Sequence, residues 1–210
     1  MKRIALAALL SFATLTAAPG QAAEQVRNAS PFKTINAQGP VSLVVEVGKA
    51  YSIRVEGSQK FIDRVTTEVV NGELRLGYKE KNNVNIKDDE RVIVTLPELT
   101  AFTGEGAGLV ILNRVRGDNF DVNYRGAGSL QMNGQVKRLR LDAEGVGEVD
   151  AKGLVAQDAD VSFRGIGAVS VHAKNRLQAE VQGMGELTYY GNPRSLSKSV
   201  SGIGSVVAGR

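Results

Sequence analysis

The sequence predicts an all-β chain, a parallel β-solenoid (β-helix-like) of about six Gly-x-Gly coils preceded by a β-rich part that contains a hairpin. Two observations predict it. Glycine pairs recur at Gly106/Gly108, Gly126/Gly128, Gly145/Gly147, Gly165/Gly167, Gly183/Gly185 and Gly202/Gly204, a period of about twenty residues, and a fixed short period implies one supersecondary unit stacked on copies of itself. Between the pairs, apolar residues fall on every second position, as in Phe120, Val122, Tyr124 or Leu139, Leu141, Ala143. That is the period of a strand with one buried face.

The segment 1–22 is read as a secretory signal peptide outside the fold. Met1, Lys2 and Arg3 form a basic start, Ile4 to Leu15 an apolar run, and Ala18 to Ala23 a small-residue cleavage zone, with cleavage expected after Ala22 or Ala23. The apolar run is shorter than the ~20 residues of a membrane span. An exported protein, periplasmic or at the cell surface, is therefore expected. The chain has no cysteine, so neither a lipid anchor on cysteine nor a disulfide framework is available. Loss of Lys2 and Arg3 lowers the net charge from +4 to about +2. No basic run interleaved with aromatics suggests a nucleic-acid face, and none is expected as partner.

A single domain is expected over 30–210, with a β-rich part (30–100) and the glycine coils (101–210). In the first part, Phe32 and Ile35, then Val41, Leu43, Val45 and Val47, then Tyr51, Ile53 and Val55 alternate between Gly39, Gly48 and Gly57. These are short strands. Ser58 to Arg64 predicts one or two helical turns. Asn71-Gly72 between apolar runs is a strong hairpin signal. Lys79 to Glu90 is polar and reads as a loop before a strand from Arg91 to Leu96, which Pro97 ends.

In the second part the glycines share the parity of the apolar residues, so counting by twos places both glycines of each pair on the inward face. Interior glycine marks a bend or a close backbone approach, and stacked pairs predict a corner along the solenoid. A coil of about twenty residues has a perimeter of roughly 60–65 Å, with successive coils about 4.8 Å apart. The residue before each pair begins Glu105, Arg125, Glu144, Arg164. Stacked neighbours would then oppose unlike charges, a ladder that specifies register more than it stabilises.

The residue inside each pair is Ala107, Ala127, Val146, Ile166, Met184 or Ile203. It is apolar although its parity otherwise carries polar residues. Two readings stand: the glycines let the backbone turn these residues inward or an N-terminal strand covers them, or Ala127, Val146, Ile166, Met184 and Ile203 form a stripe facing a partner.

Phe32-Lys33-Thr34-Ile35, the segment Thr95 to Gly108 and the Gly-x-Gly coils resemble the bacterial head-GIN-domain family, described as putative autotransporter adhesins, over nearly the whole mature chain. The resemblance implies a secreted or periplasmic β-solenoid and suggests adhesion. Its autotransporter half is not expected to apply, because the repeats run to Arg210 and leave no residues for a membrane barrel.

Catalysis is not expected. The lone His172 lies on the outward parity, and no nucleophile elbow or phosphate loop accompanies the glycines. No cofactor or metal is expected either. Asp88, Asp89 and Glu90, and Asp158 with Asp160, lack calcium-loop spacing and read as solvated charges. A non-catalytic envelope protein that binds a partner, a surface or itself is the expected function. The alternative is a carbohydrate-binding or polysaccharide-active β-helix protein. The absence of Trp and only 5% aromatics argue against it, and of Tyr189 and Tyr190 only the latter is expected in solvent. The last coil leaves a strand edge that can template self-association.

Overall fold

The computed structural model describes residues 23–40, 42–79, 87 and 89–210. The expected signal peptide, Val41, Asp88 and most of the predicted polar loop lie outside these residues. The described chain is nearly all β. Its strands are β1 (Ala23–Arg27), β2 (Thr34–Gln38), β3 (Leu43–Val47), β4 (Ser52–Gly57), β5 (Val65–Val70), β6 (Glu73–Tyr78), β7 (Arg91–Leu96), β8 (Ala101–Tyr190), β9 (Ser195–Gly202) and β10 (Ser205–Ala208), with one helix, α1 (Gln59–Arg64).

Local chemistry accounts for the turns. Asn71 and Gly72 both take positive φ (52° and 77°), the geometry of a two-residue turn that follows strand twist. They close the predicted antiparallel hairpin of β5 and β6, with Val70 opposite Glu73. Ser58 caps α1, its side chain accepting from the Phe61 amide at 3.2 Å, which satisfies a backbone donor that the first turn leaves free. The helix buries Phe61 and Ile62 and stops at Val65, whose backbone is extended.

The early strands join the later ones through parallel ladders. β2 lies between β6 and β8, pairing Thr34 with both Glu73 and Ala101. β3 lies between β7 and β8, pairing Leu43 with both Val92 and Val110. Outside these ladders β4 runs antiparallel to β7, and β1 antiparallel to β4. The segment that contains β2 and β3 therefore lies in register against the start of β8. β9 and β10 lie parallel to the end of β8.

A straight 90-residue strand such as β8 would reach roughly 300 Å. Instead its repeats approach one another closely: a Cβ added to Gly126 would collide with the Gly106 carbonyl, one on Gly145 with Gly126, and one on Gly165 with Gly145. The buried side chains form one cluster from Phe32 to Val206. It changes in bulk along the chain, with Phe32, Phe102 and Phe120 early and Ala156, Ala159, Ala173 and Ala179 late.

Candidate functional site

The site begins with the glycines. From Gly106 to Gly167, seven of the eight paired glycines have φ between 129° and 153°, which side chains disfavour. The two-residue alternation of burial nevertheless runs through the pairs, with Ala143 and Val149 buried, Gly145 and Gly147 half-buried, and Glu144, Val146 and Glu148 exposed. At Gly126, Gly145, Gly147, Gly165 and Gly167 the obstacle to a Cβ is the backbone of the glycine one repeat earlier, not a core side chain.

Gly128 is the exception among the eight, since it does not take positive φ. Spacing places it on the inward face as a corner, yet it is half-exposed beside the half-exposed Ser129. A Cβ there would meet the Gly108 carbonyl first and then the Tyr124 hydroxyl at 2.9 Å. Its need for glycine is therefore steric rather than conformational. Gly185 also differs, because there a Cβ would strike the Phe163 ring. The dominant reason for glycine in these columns is thus close approach of one backbone to the next.

The first glycine column has a member that spacing does not reveal. A Cβ on Gly106 would collide with Gly39, and the Gly39 amide donates to the Glu105 carbonyl at 2.7 Å. Gly39 precedes Gly106 by far more than one repeat, so a search for the twenty-residue period passes over it. Its signal is structural, the alignment of β2 with residues 101–105 of β8.

The glycines set an outward face between buried flanks. In the third repeat Ala143 and Val149 are buried while Glu144, Val146 and Glu148 are exposed, and in the fourth Phe163 and Val169 are buried while Arg164, Ile166 and Ala168 are exposed. Val146 is 56% exposed, Ile166 47%, Met184 51% and Ile203 83%, with Ala107 and Ala127 also exposed. Among the described residues nothing covers this row. Beside it, Glu105, Arg125, Glu144 and Arg164 are all exposed, and Arg125 Nε lies 3.6 Å from a Glu144 carboxylate oxygen. Tyr124 packs beneath the face; burial raises its phenol pKa.

Other singled-out residues are placed apart from this face or bound up in the fold. Glu90 is not a solvated charge: it is buried, accepting from the Ser58 hydroxyl at 2.5 Å and the Lys87 amide at 3.1 Å. Asp158 and Asp160 line a shallow depression with Arg138, Arg140 and Arg176, a setting that does not favour a cation. Tyr190 is half-buried, with the Lys152 amine 4.2 Å from its ring centroid, and is not an open aromatic platform. His172 is half-buried. Among the described residues, no group of three or more His, Cys, Asp or Glu could hold a metal. No helix among them is long and apolar enough to cross a membrane.

A groove of about 660 Å³ opens beside the first glycine column, lined by Asn36, Arg75, Tyr78 and Glu105 among others. It lies at the β2–β6 border, at one end of the apolar row.

Known proteins of similar fold are adhesin-like in description. The structure resembles that of a putative adhesin from Bacteroides fragilis NCTC 9343, with TM-score 0.72 and 21% identity over 90% of this chain and 97% of that one. It also resembles a putative adhesin from Parabacteroides merdae ATCC 43184, with TM-score 0.51 and 14% identity over 91% and 98%. A putative lipid binding protein from Parabacteroides distasonis ATCC 8503 aligns with TM-score 0.48 and 22% identity over 91% and 98%. No curated protein matches the chain. The family model described as "Putative auto-transporter adhesin, head GIN domain" matches residues 31–193, and the chain belongs to that family.

Proposed function

We propose that this chain is an exported, non-catalytic binding scaffold of the adhesin type, which meets its partner through the apolar row between the glycine pairs. In this reading 1–22 is removed as a signal peptide, and 30–210 forms one domain in which residues 101–210 wind as a parallel β-solenoid. The parallel registers Gly183 to Gly202 and Leu187 to Val206 and the glycine-on-glycine approach support the winding. Membership of an adhesin family supports export and surface binding.

The observation that carries the functional reading is the row Val146, Ile166, Met184 and Ile203, each about half exposed or more. From Gly106/Gly108 to Gly183/Gly185 the core residues on either side of each glycine pair are buried, so the row is not a failure of packing. Contiguous exposed apolar side chains rimmed by charge are the composition of an interaction surface. Arg125 and Glu144 and their counterparts supply that rim.

The test uses a printed array of neutral, acidic and sulfated glycans together with intact bacterial cells, and compares the chain with an Ile166→Asp/Met184→Asp variant. Exposed positions tolerate such changes, so far-UV circular dichroism stays unchanged and surface binding is lost. Retained binding by the folded variant contradicts the assignment. Depolymerisation of any array polysaccharide would replace it with the carbohydrate-active reading.

A further inference from the structure

We propose that the partner of this face is a second copy of the same chain, docked antiparallel in one register; this rests on the partner-facing reading of the row. The row grades in size along the stack, Ala107, Ala127, Val146, Ile166, Met184, Ile203. A two-fold axis lying in the face, across the row and midway between the third and fourth repeats, sets small against large. Ala107 meets Ile203 of the second copy, Ala127 meets Met184, and Val146 meets Ile166. The two outer pairs thus join a small side chain to a large one, and the central pair joins two β-branched residues, so no facing pair sets two of the smallest side chains together.

The charges are compatible with the same axis. Glu144 faces Arg164 of the second copy, and by symmetry Arg164 faces Glu144, while Arg125 faces the neutral Gln182 and Glu105 faces Ser201. In the column after each second glycine, Glu148 faces Ala168 and Glu186 faces Ser129, so no like charges meet. An axis through the third repeat itself would set Glu144 against Glu144 and Arg125 against Arg164. A parallel arrangement, with the axis along the row, would set Glu144 against Glu148. Juxtaposed like charges cost several kcal/mol at an interface, so alternation in the ladder rejects both. The self-complementarity is that of an isologous contact, in which residue i meets j and j meets i.

Six repeats at about 4.8 Å and three exposed columns give a face about 24 Å long and roughly 13 Å wide, some 300–400 Å² per copy. That is about half the ~800 Å² per partner of a standard interface. The dimer is therefore a weak one, populated at high protein concentration or where export or surface anchoring crowds the chain.

Because the chain has no cysteine, single-cysteine variants report the register cleanly. Ala127→Cys and Met184→Cys proteins are mixed at high concentration under mild oxidation, with Lys174→Cys, exposed and outside the columns of the face, as control. The expected result is a mixed Ala127→Cys/Met184→Cys cross-link as the dominant product, abolished when both carry Ile166→Asp. Self-linked products from each variant alone, or yields equal to the control, overturn the proposal, as does a monomeric mass for the unsubstituted chain at the highest concentration tested. If it falls, the array and cell-binding comparison with Ile166→Asp/Met184→Asp still decides separately whether the row faces some other partner.

Discussion

The two ends of the parallel ladders are finished in different ways. At the end formed by 23–96, antiparallel strands and a capped helix close the structure. Arg27 on β1 donates to the Ile62 carbonyl at 2.7 Å and the Val65 carbonyl at 2.8 Å, tying one end of the strand order to the helix and to β5 at the other. Ser58 and the buried Glu90 lock the helix start. At the end formed by β9, every strand residue is exposed, including Leu196 and Val200. Val200 keeps the parity expected of a core residue, yet no further strand covers it among the described residues.

An uncovered edge is managed here by charge. Lys198 stands in register with Ala179, a position that is buried one repeat earlier. Its amine lies 3.4 Å from the Val206 carbonyl. A lysine placed in a core column makes further stacking unfavourable, since a stacked strand would have to desolvate it. One end is thus closed by covering, the other by charge.

Between these ends, the greatest loss is expected at the central glycine pairs, where one glycine backbone lies against the next. Gly165→Val adds a side chain at φ 146° against the Gly145 carbonyl. It should cost about 3 kcal/mol or more, or prevent folding, in urea denaturation. Gly204→Ala at the bare end meets Gly185 O at 2.8 Å without positive φ, and should cost about 1 kcal/mol. Equal losses at the two positions would mean that positive φ and glycine contact add nothing at the central pairs.

At the covered end, Arg27→Ala and Ser58→Ala each remove partners from partly buried groups, and each should cost about 1–3 kcal/mol by the same measurement. Smaller at neutral pH is the effect of Tyr78, whose phenol pKa burial raises well above its ordinary value. The folded state then holds this proton where the unfolded chain releases it, so its contribution is intact below the ordinary tyrosine pKa and is lost as pH rises past about 10. Tyr78→Phe should flatten that alkaline decline in denaturation midpoint while changing stability little at pH 7. Lys198→Leu should leave stability within about 0.5 kcal/mol, and its consequence should appear instead as concentration-dependent association in light scattering.

Much of this was legible in residue order because local chemistry and periodicity act at short range. Asn71-Gly72 forms its hairpin, and Ser58 begins the short helix before β5. The residues between the glycines read as apolar on an outward parity, and they are exposed. What escaped the sequence depends on long-range pairing. Gly39 joins the first glycine column only because β2 lies beside the start of β8, and β1 finds β4 across an intervening strand pair. Parity counting assumes extended backbone at every residue, so the positive φ of Gly126 or Gly145 could not be read from it, nor could the absence of positive φ at Gly128 or the collision with the preceding glycine. Glu90 read as a loop charge because its partner Ser58 is remote in sequence.

In the proposed winding, the residues between the glycine pairs form one straight outward row, a strand spacing apart from repeat to repeat. Nitroxide labels on an Ala107→Cys/Ile203→Cys protein, diluted in excess unlabelled chain so that only one molecule is read, measure the row end to end by double electron–electron resonance. Five intervals of about 4.8 Å predict a distance centred at about 24 Å, within roughly 20–30 Å once label linkers are included. A distribution centred beyond about 40 Å would contradict the stacked arrangement.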